Sequence, residues 1–189
     1  MKIKFYHCTS RENLEKILKY NKIFSEKKAR RLGLIKESST GEIDRRYRRD
    51  NFVFLSHQPQ NYGEIIFIFS PEILNLPSCY VATAGDFLHF CDTPKNIKYF
   101  KNSIISGKDF PNYIENFLKE LPNPDWFFGK KRGLKKFLSE AIIENINGNS
   151  EKLKLYWRLF PEIMVKNELP LKYLIKIKEK NNERRNYSL

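Results

Sequence analysis

Residues Ile65 to Ser70 read IIFIFS. A run this apolar has no polar face to offer to water, so a strand made of it must be covered on both sides. It predicts a central strand. A second strand, Phe52 to Ser56, comes just before it, and the turn-forming HQPQNYG lies between the two. Any fold for this chain has to be built around that pair.

The flanking patterns supply helices as well as strands. Residues 2 to 8 alternate weakly and predict a first strand. Thr9 and Ser10 offer N-cap oxygens, and Leu14, Ile17 and Leu18 follow at helical spacing, which predicts a helix over 11–20. Ile23 and Phe24 suggest a short extended piece, and 26–32 a short helix. Residues 36–50 carry Ser38, Ser39, Thr40, Gly41 and four arginines with few apolar residues, and read as an exposed loop. Residues 79–83 predict a strand, and 85–108 show no clear period. A helix opens at Asp109 and Pro111 with Ile114, Phe117 and Leu118 on one face. NPDWFFGKKRG reads as a loop, Leu134 to Ile146 as a longer helix, and 162–166 and 171–177 as two strands or as a strand and an undefined element. The class is α+β. At 189 residues, with no repeat and no linker, the chain reads as one domain, 1–189.

Charge bounds the partners. Thirty-five Lys and Arg against twenty-two Asp and Glu leave a net +13. The basic residues cluster: Lys27, Lys28, Arg30 and Arg31; then Arg45, Arg46, Arg48 and Arg49; then Lys130, Lys131, Arg132, Lys135 and Lys136. Clustering favours a polyanion such as nucleic acid over a general basic bias. Aromatic residues are 14% of the chain. WFF beside the third cluster could stack on bases through Trp126, Phe127 or Phe128, or could anchor the next helix in the core. No basic amphipathic helix dominates, so a membrane surface is disfavoured. Three cysteines (Cys8, Cys79 and Cys91) make no CxxC pair, and with no apolar run long enough to span a bilayer the expected location is cytoplasmic. His7, His57 and His89 show no metal-ligand spacing, so no metal is expected.

Three segments carry candidate chemistry: FYHCTSRENLEKIL around His7, FVFLS followed by Tyr62, and PEIMVKNELPLKYLIKI opening with Glu162. Singly, each residue has an ordinary reading, as a structural histidine, a rim aromatic or a solvated carboxylate. Together and in this order they resemble the His–Tyr–Glu type of ADP-ribosyltransferase, the superfamily of the poly(ADP-ribose) polymerases. Within it the chain looks most like the DarT-type bacterial toxins. Tyr6, His7, Thr9, Asn13, Leu14, Ile17 and Leu18 match their first motif, EIDRRYRR their arginine-bearing segment, and Glu162 to Val165 their late strand.

The resemblance implies a split mixed β-sheet core with flanking helices. It also implies transfer of ADP-ribose from NAD to a base, most readily in single-stranded DNA, with a macrodomain-type antitoxin as counterpart. It makes Glu162, His7 and either Arg46 or Arg49 catalytic. NAD would be held by His7, Cys8, Thr9, Asn13, Phe54, Ser56 and Tyr62. Arg45, Arg48, Lys130, Lys131, Arg132 and Trp126 would hold nucleic acid. Phe54 stands where the family has a tyrosine, and Cys8 where it often has glycine.

These residue types suit the reaction. Breaking the bond between nicotinamide and ribose builds positive charge on the sugar, which a carboxylate stabilises. A histidine can orient a ribose hydroxyl, and an arginine can hold a diphosphate through paired N–H donors. The absent GxGxxG argues against a Rossmann dehydrogenase. An NAD glycohydrolase, a protein ADP-ribosyltransferase and a basic nucleic-acid-binding domain without activity remain as alternatives.

Overall fold

The computed structural model describes residues 3–35, 41–58, 63–90 and 92–180. Backbone contacts divide the chain into two compact units. The first is assembled from residues 1–55, 59–71 and 165–189, the second from 56–58 and 72–164. The architecture is α+β.

In the first unit, β1 (Phe5–Thr9), β3 (Phe52–Ser56), β4 (Ile65–Phe69) and β9 (Leu174–Glu179) lie in the order β3-β1-β4-β9. The interior position expected for IIFIFS is found, and all five residues of β4 are buried. Antiparallel pairing sets Phe5 opposite Phe69, His7 opposite Phe67 and Thr9 opposite Ile65. The alternation of a strand then divides β1. Tyr6 and Cys8 pack with Ile66 and Ile68 in one cluster, while the His7 ring faces Phe67 across the pair at 6.5 Å. On the other side of β4, β9 pairs antiparallel with a register shift at Ile68/Phe69.

The helix α1 (Arg11–Tyr20) has the expected bounds and buries Ile17, but Leu18 is half exposed. Ser10 holds the N-cap position without a side-chain bond to the helix. The expected cap oxygen of Thr9 is spent differently, accepting from the Asn13 side chain at 2.9 Å. Asn21 closes α1 in the left-handed conformation, and β2 (Lys22–Phe24) pairs antiparallel with β8 (Glu168–Pro170). Next comes α2 (Glu26–Arg31), capped by the Ser25 hydroxyl.

The exposed loop expected over 36–50 is corrected in its described part. Residues Gly41–Arg46 form helix α3, and Arg49–Asn51 a 3-10 turn in which Arg49 and Asp50 are buried. Ion pairs explain this order in so polar a segment. Arg45 reaches Glu26 at 3.1 Å, Arg30 reaches Asp50 at 2.8 Å, and Arg49 reaches Asp44 at 3.1 Å. The strand expected over 171–177 is also revised: Leu171–Tyr173 is a 3-10 turn with the buried Leu171 as its anchor, and the strand begins at Leu174.

In the second unit, β5 (Cys79–Ala82) pairs antiparallel with β6 (Ile104–Ser106). Between them runs α4 (Pro94–Asn102), capped by Thr93 and opened by proline at its first position. Three further helices follow: α5 (Phe110–Glu120), α6 (Leu134–Ile146) and α7 (Glu151–Trp157). Their core is aromatic. Phe87, Phe110, Phe117 and Phe127 are almost wholly buried, with Ile114 and Leu159 among them. The chain passes from this unit to the first within β7 (Glu162–Lys166).

Candidate active site

The first unit gathers most of the residues expected to bind NAD. His7 Nδ1 lies 3.0 Å from the carbonyl oxygen of Phe54. A carbonyl only accepts, so Nδ1 carries the proton and donates it there. Burial lowers the pKa of His7, outweighing the opposing effect of that hydrogen bond, and the ring is neutral at pH 7. In a neutral ring with Nδ1 protonated, Nε2 is a hydrogen-bond acceptor. The backbone of β3 thus fixes both the tautomer and the orientation of His7.

Phe54 itself is held from above. The Arg49 guanidinium sits 4.7 Å from its ring centroid while its Nε donates to Asp44. Such a cation–π contact strengthens as water is excluded. Arg49 is therefore built into the unit, tied to Asp44 and laid on Phe54. Arg46, the other candidate arginine, is exposed at the end of α3 with its guanidinium 5.7 Å from the Tyr47 ring. Arg45 is exposed and paired with Glu26; Arg48 is exposed and adopts a left-handed backbone, φ 59°.

Thr9 and Asn13 bind each other across the junction of β1 and α1. Gly63 approaches the same junction with φ +74°, and a Cβ there would lie 2.8 Å from the Thr9 backbone nitrogen. Only glycine allows that approach. The Cys8 side chain points into the cluster with Ile66 and Ile68, so only its backbone could serve a ligand. Ser56 ends β3, and its hydroxyl donates to the Gln58 carbonyl at 2.5 Å. Tyr62 lies outside the described residues.

Ser56 and the other expected residues belong to the second unit. Glu162 is the first residue of β7 and is half buried, next to the buried Pro161 and Ile163. Trp126 is 6% exposed; its ring packs on Phe137, and its indole N–H donates to the Arg132 carbonyl at 2.8 Å. Of the two readings of WFF, the structure gives the anchor for Trp126 and Phe127, and a stacking role for Trp126 is not available in this arrangement. Phe128 is the exposed ring. Lys130, Lys131 and Arg132 are exposed, with Lys130 paired to Asp125 at 2.8 Å.

Two arrangements were not foreseen. His57 stacks on Phe127, with 4.3 Å between centroids, and donates from Nε2 to the Phe127 carbonyl at 2.9 Å; its Nδ1 is buried without a partner. His89 stacks on Trp157 at 3.5 Å and 17°. The histidines were visible in the sequence, but the rings they meet lie about 70 residues away in each case, beyond the reach of any local pattern. The ion-pair network around Glu26, Arg30 and Asp50 had one sequence signal, the acidic residues flanking the arginine cluster.

Among the described residues no group of three or more His, Cys, Asp or Glu is placed to hold a metal, and no helix is long and apolar enough to cross a membrane. The chain matches no protein-family model, no curated protein and no solved structure.

Proposed function

We propose that the chain is an ADP-ribosyltransferase of the His–Tyr–Glu kind that consumes NAD and transfers ADP-ribose to single-stranded DNA. The observation that carries this reading is the state of His7. Its ring is neutral, is aimed by the Phe54 carbonyl, and keeps Nε2 as an acceptor. That is the form needed to take a hydrogen bond from a ribose hydroxyl. Around it, Thr9 and Asn13 are braced against each other and Phe54 is braced by Arg49, so the first strand is set before substrate arrives.

Glu162 enters through the sequence pattern. Its carboxylate would stabilise the positive charge that grows on the sugar as nicotinamide departs. Arg46, exposed beside Tyr47, is free to move toward a diphosphate, whereas Arg49 acts as the brace under this reading. The split-sheet fold of the superfamily belongs to the same proposal, as does an antitoxin of the macrodomain type.

The test is incubation of the purified protein with NAD labelled on the adenylate, together with single-stranded DNA, duplex DNA, RNA and protein, and with Glu162→Gln in parallel. Label on single-stranded DNA that is lost in the variant supports the reading. Free ADP-ribose with every acceptor left unlabelled would replace it with a glycohydrolase. Label on protein alone would replace the acceptor. No turnover of NAD would sink the enzyme and leave a basic nucleic-acid-binding domain.

A further inference from the structure

The second unit carries an aromatic surface that the sequence did not suggest. Phe87 and Phe90 are buried on either side of the 3-10 turn Phe87–His89, and the backbone N–H of Phe90 donates to the Phe87 carbonyl at 2.8 Å. With both phenylalanines turned inward, His89 is left facing out, and it is exposed. One face of its ring is covered by Trp157, nearly parallel at 3.5 Å.

Gly85 makes this meeting possible. Its φ is +114°, and a Cβ at that position would lie 2.6 Å from the Trp157 carbonyl oxygen. The chain before the turn therefore runs against the backbone of α7 more closely than any other residue allows. Burial holds the His89 pKa below its ordinary value against the opposing pull of Asp86, so the ring is uncharged at pH 7. An uncharged flat ring backed by an indole is a stacking surface for another flat ring.

The surroundings carry charges of both signs. Lys154 of α7 is paired with Glu151 and lies 5.7 Å from the Tyr99 ring, which joins α7 to α4; Tyr99 in turn meets Phe90 at 5.5 Å, and Asp86 and Asp92 lie on the chain around the turn. On α4, Lys95 lies one turn before Tyr99, and both Lys95 and Lys98 are exposed. Ring stacking with lysines alongside is the combination by which proteins hold single-stranded nucleic acid.

We infer that the His89–Trp157 pair is a stacking platform for a base of single-stranded DNA, with Lys95 and Lys98 contacting the neighbouring phosphates. This rests on the proposed transfer to DNA and names the surface that holds the strand. It also relocates the aromatic contact from Trp126, whose ring is in the core, to a ring pair at the surface.

The experiment measures binding of a fluorescent oligothymidylate by anisotropy, using the full chain without NAD. His89→Leu removes the flat ring and is expected to weaken binding about tenfold, and His89→Phe to retain it. Lys95→Gln with Lys98→Gln is expected to reduce the dependence of affinity on salt by about two counterions. Circular dichroism checks that each variant is folded.

Wild-type affinity in His89→Leu, or equal losses in the Leu and Phe variants, overturns the platform. Tighter binding of oligouridylate than of oligothymidylate overturns the assignment to DNA. If His89→Leu weakens binding in a protein that turns over no NAD, the platform stands and the transferase reading fails. If the transferase modifies DNA and His89→Leu binds it as the wild type does, the platform alone fails.

Discussion

The imidazole of His57 lies flat on the ring of Phe127, 17° from parallel, and donates a hydrogen bond to the carbonyl of that same residue. One residue thus supplies both the apolar surface and the polar partner. Burial pulls the pKa of His57 from 6.5 to about 4, despite the opposing effect of the Phe127 carbonyl. Unfolded, the ring takes up a proton near pH 6.5; folded, it does not until about pH 4. The unfolded chain therefore binds the extra proton in that interval, and folding stability falls as the pH drops from 6.5 to 4. The loss reaches at most about 3 kcal/mol and levels off below pH 4. His57→Phe should remove this component. The check is the difference in urea midpoint between wild type and variant at pH 7 and at pH 4.5, and a pH-independent difference would refute the assignment.

If the chain is the transferase proposed above, His7→Ala should lower its NAD turnover about a hundredfold, the ordinary scale for removing a positioned polar group. Its effect on stability should be small, about 1 kcal/mol, because the Phe54 carbonyl loses one donor. Turnover measured beside a thermal melt separates the two effects. A variant as active as the wild type would remove His7 from the chemistry.

Trp126→Ala should destabilise the protein by about 3–5 kcal/mol, as expected for emptying a core site of that size. Trp126→Phe keeps most of the packing and leaves the Arg132 carbonyl without its donor, for a loss of about 1 kcal/mol. Where folded, the Phe variant should bind oligothymidylate as the wild type does. A specific loss of DNA affinity in Trp126→Phe would restore the role first expected for this ring.

Gly85→Ala places a methyl group 2.6 Å from the Trp157 carbonyl oxygen on a backbone that disfavours side chains. The expected cost is at least about 2 kcal/mol, seen as a drop of about 4–8 °C in melting temperature. An unchanged melt would mean that the 84–90 segment packs differently against α7.

The strongly patterned elements were legible. Apolar spacing and turn residues located α1, β3, α6 and β7 at their observed bounds, because in each the local pattern and the buried face agree. Residues 41–51 were not legible, since their order comes from ion pairs such as Arg30–Asp50 and Arg45–Glu26 that close over about twenty residues of chain. Helix α4 was missed although Thr93-Pro94 is a helix start by composition. At the candidate site, the sequence singled out His7 but gave no sign of the Phe54 carbonyl that sets its tautomer. It left Trp126 open between a base-stacking ring and a core anchor, because nothing local reveals that Phe137 covers it.

The two units differ in how soon they can be completed as the ribosome makes the chain. The second is drawn almost entirely from the uninterrupted stretch 72–164, so its contacts are all present once that stretch has emerged. The first is not: β4 gains its partner β9 only after more than half the chain has been added, and β2 waits longer still for β8. Until then β4, buried on every residue in the finished protein, has an open edge. A strand apolar along its whole length is thus left with one edge open through much of synthesis, and its protection depends on the last of the described strands to be made.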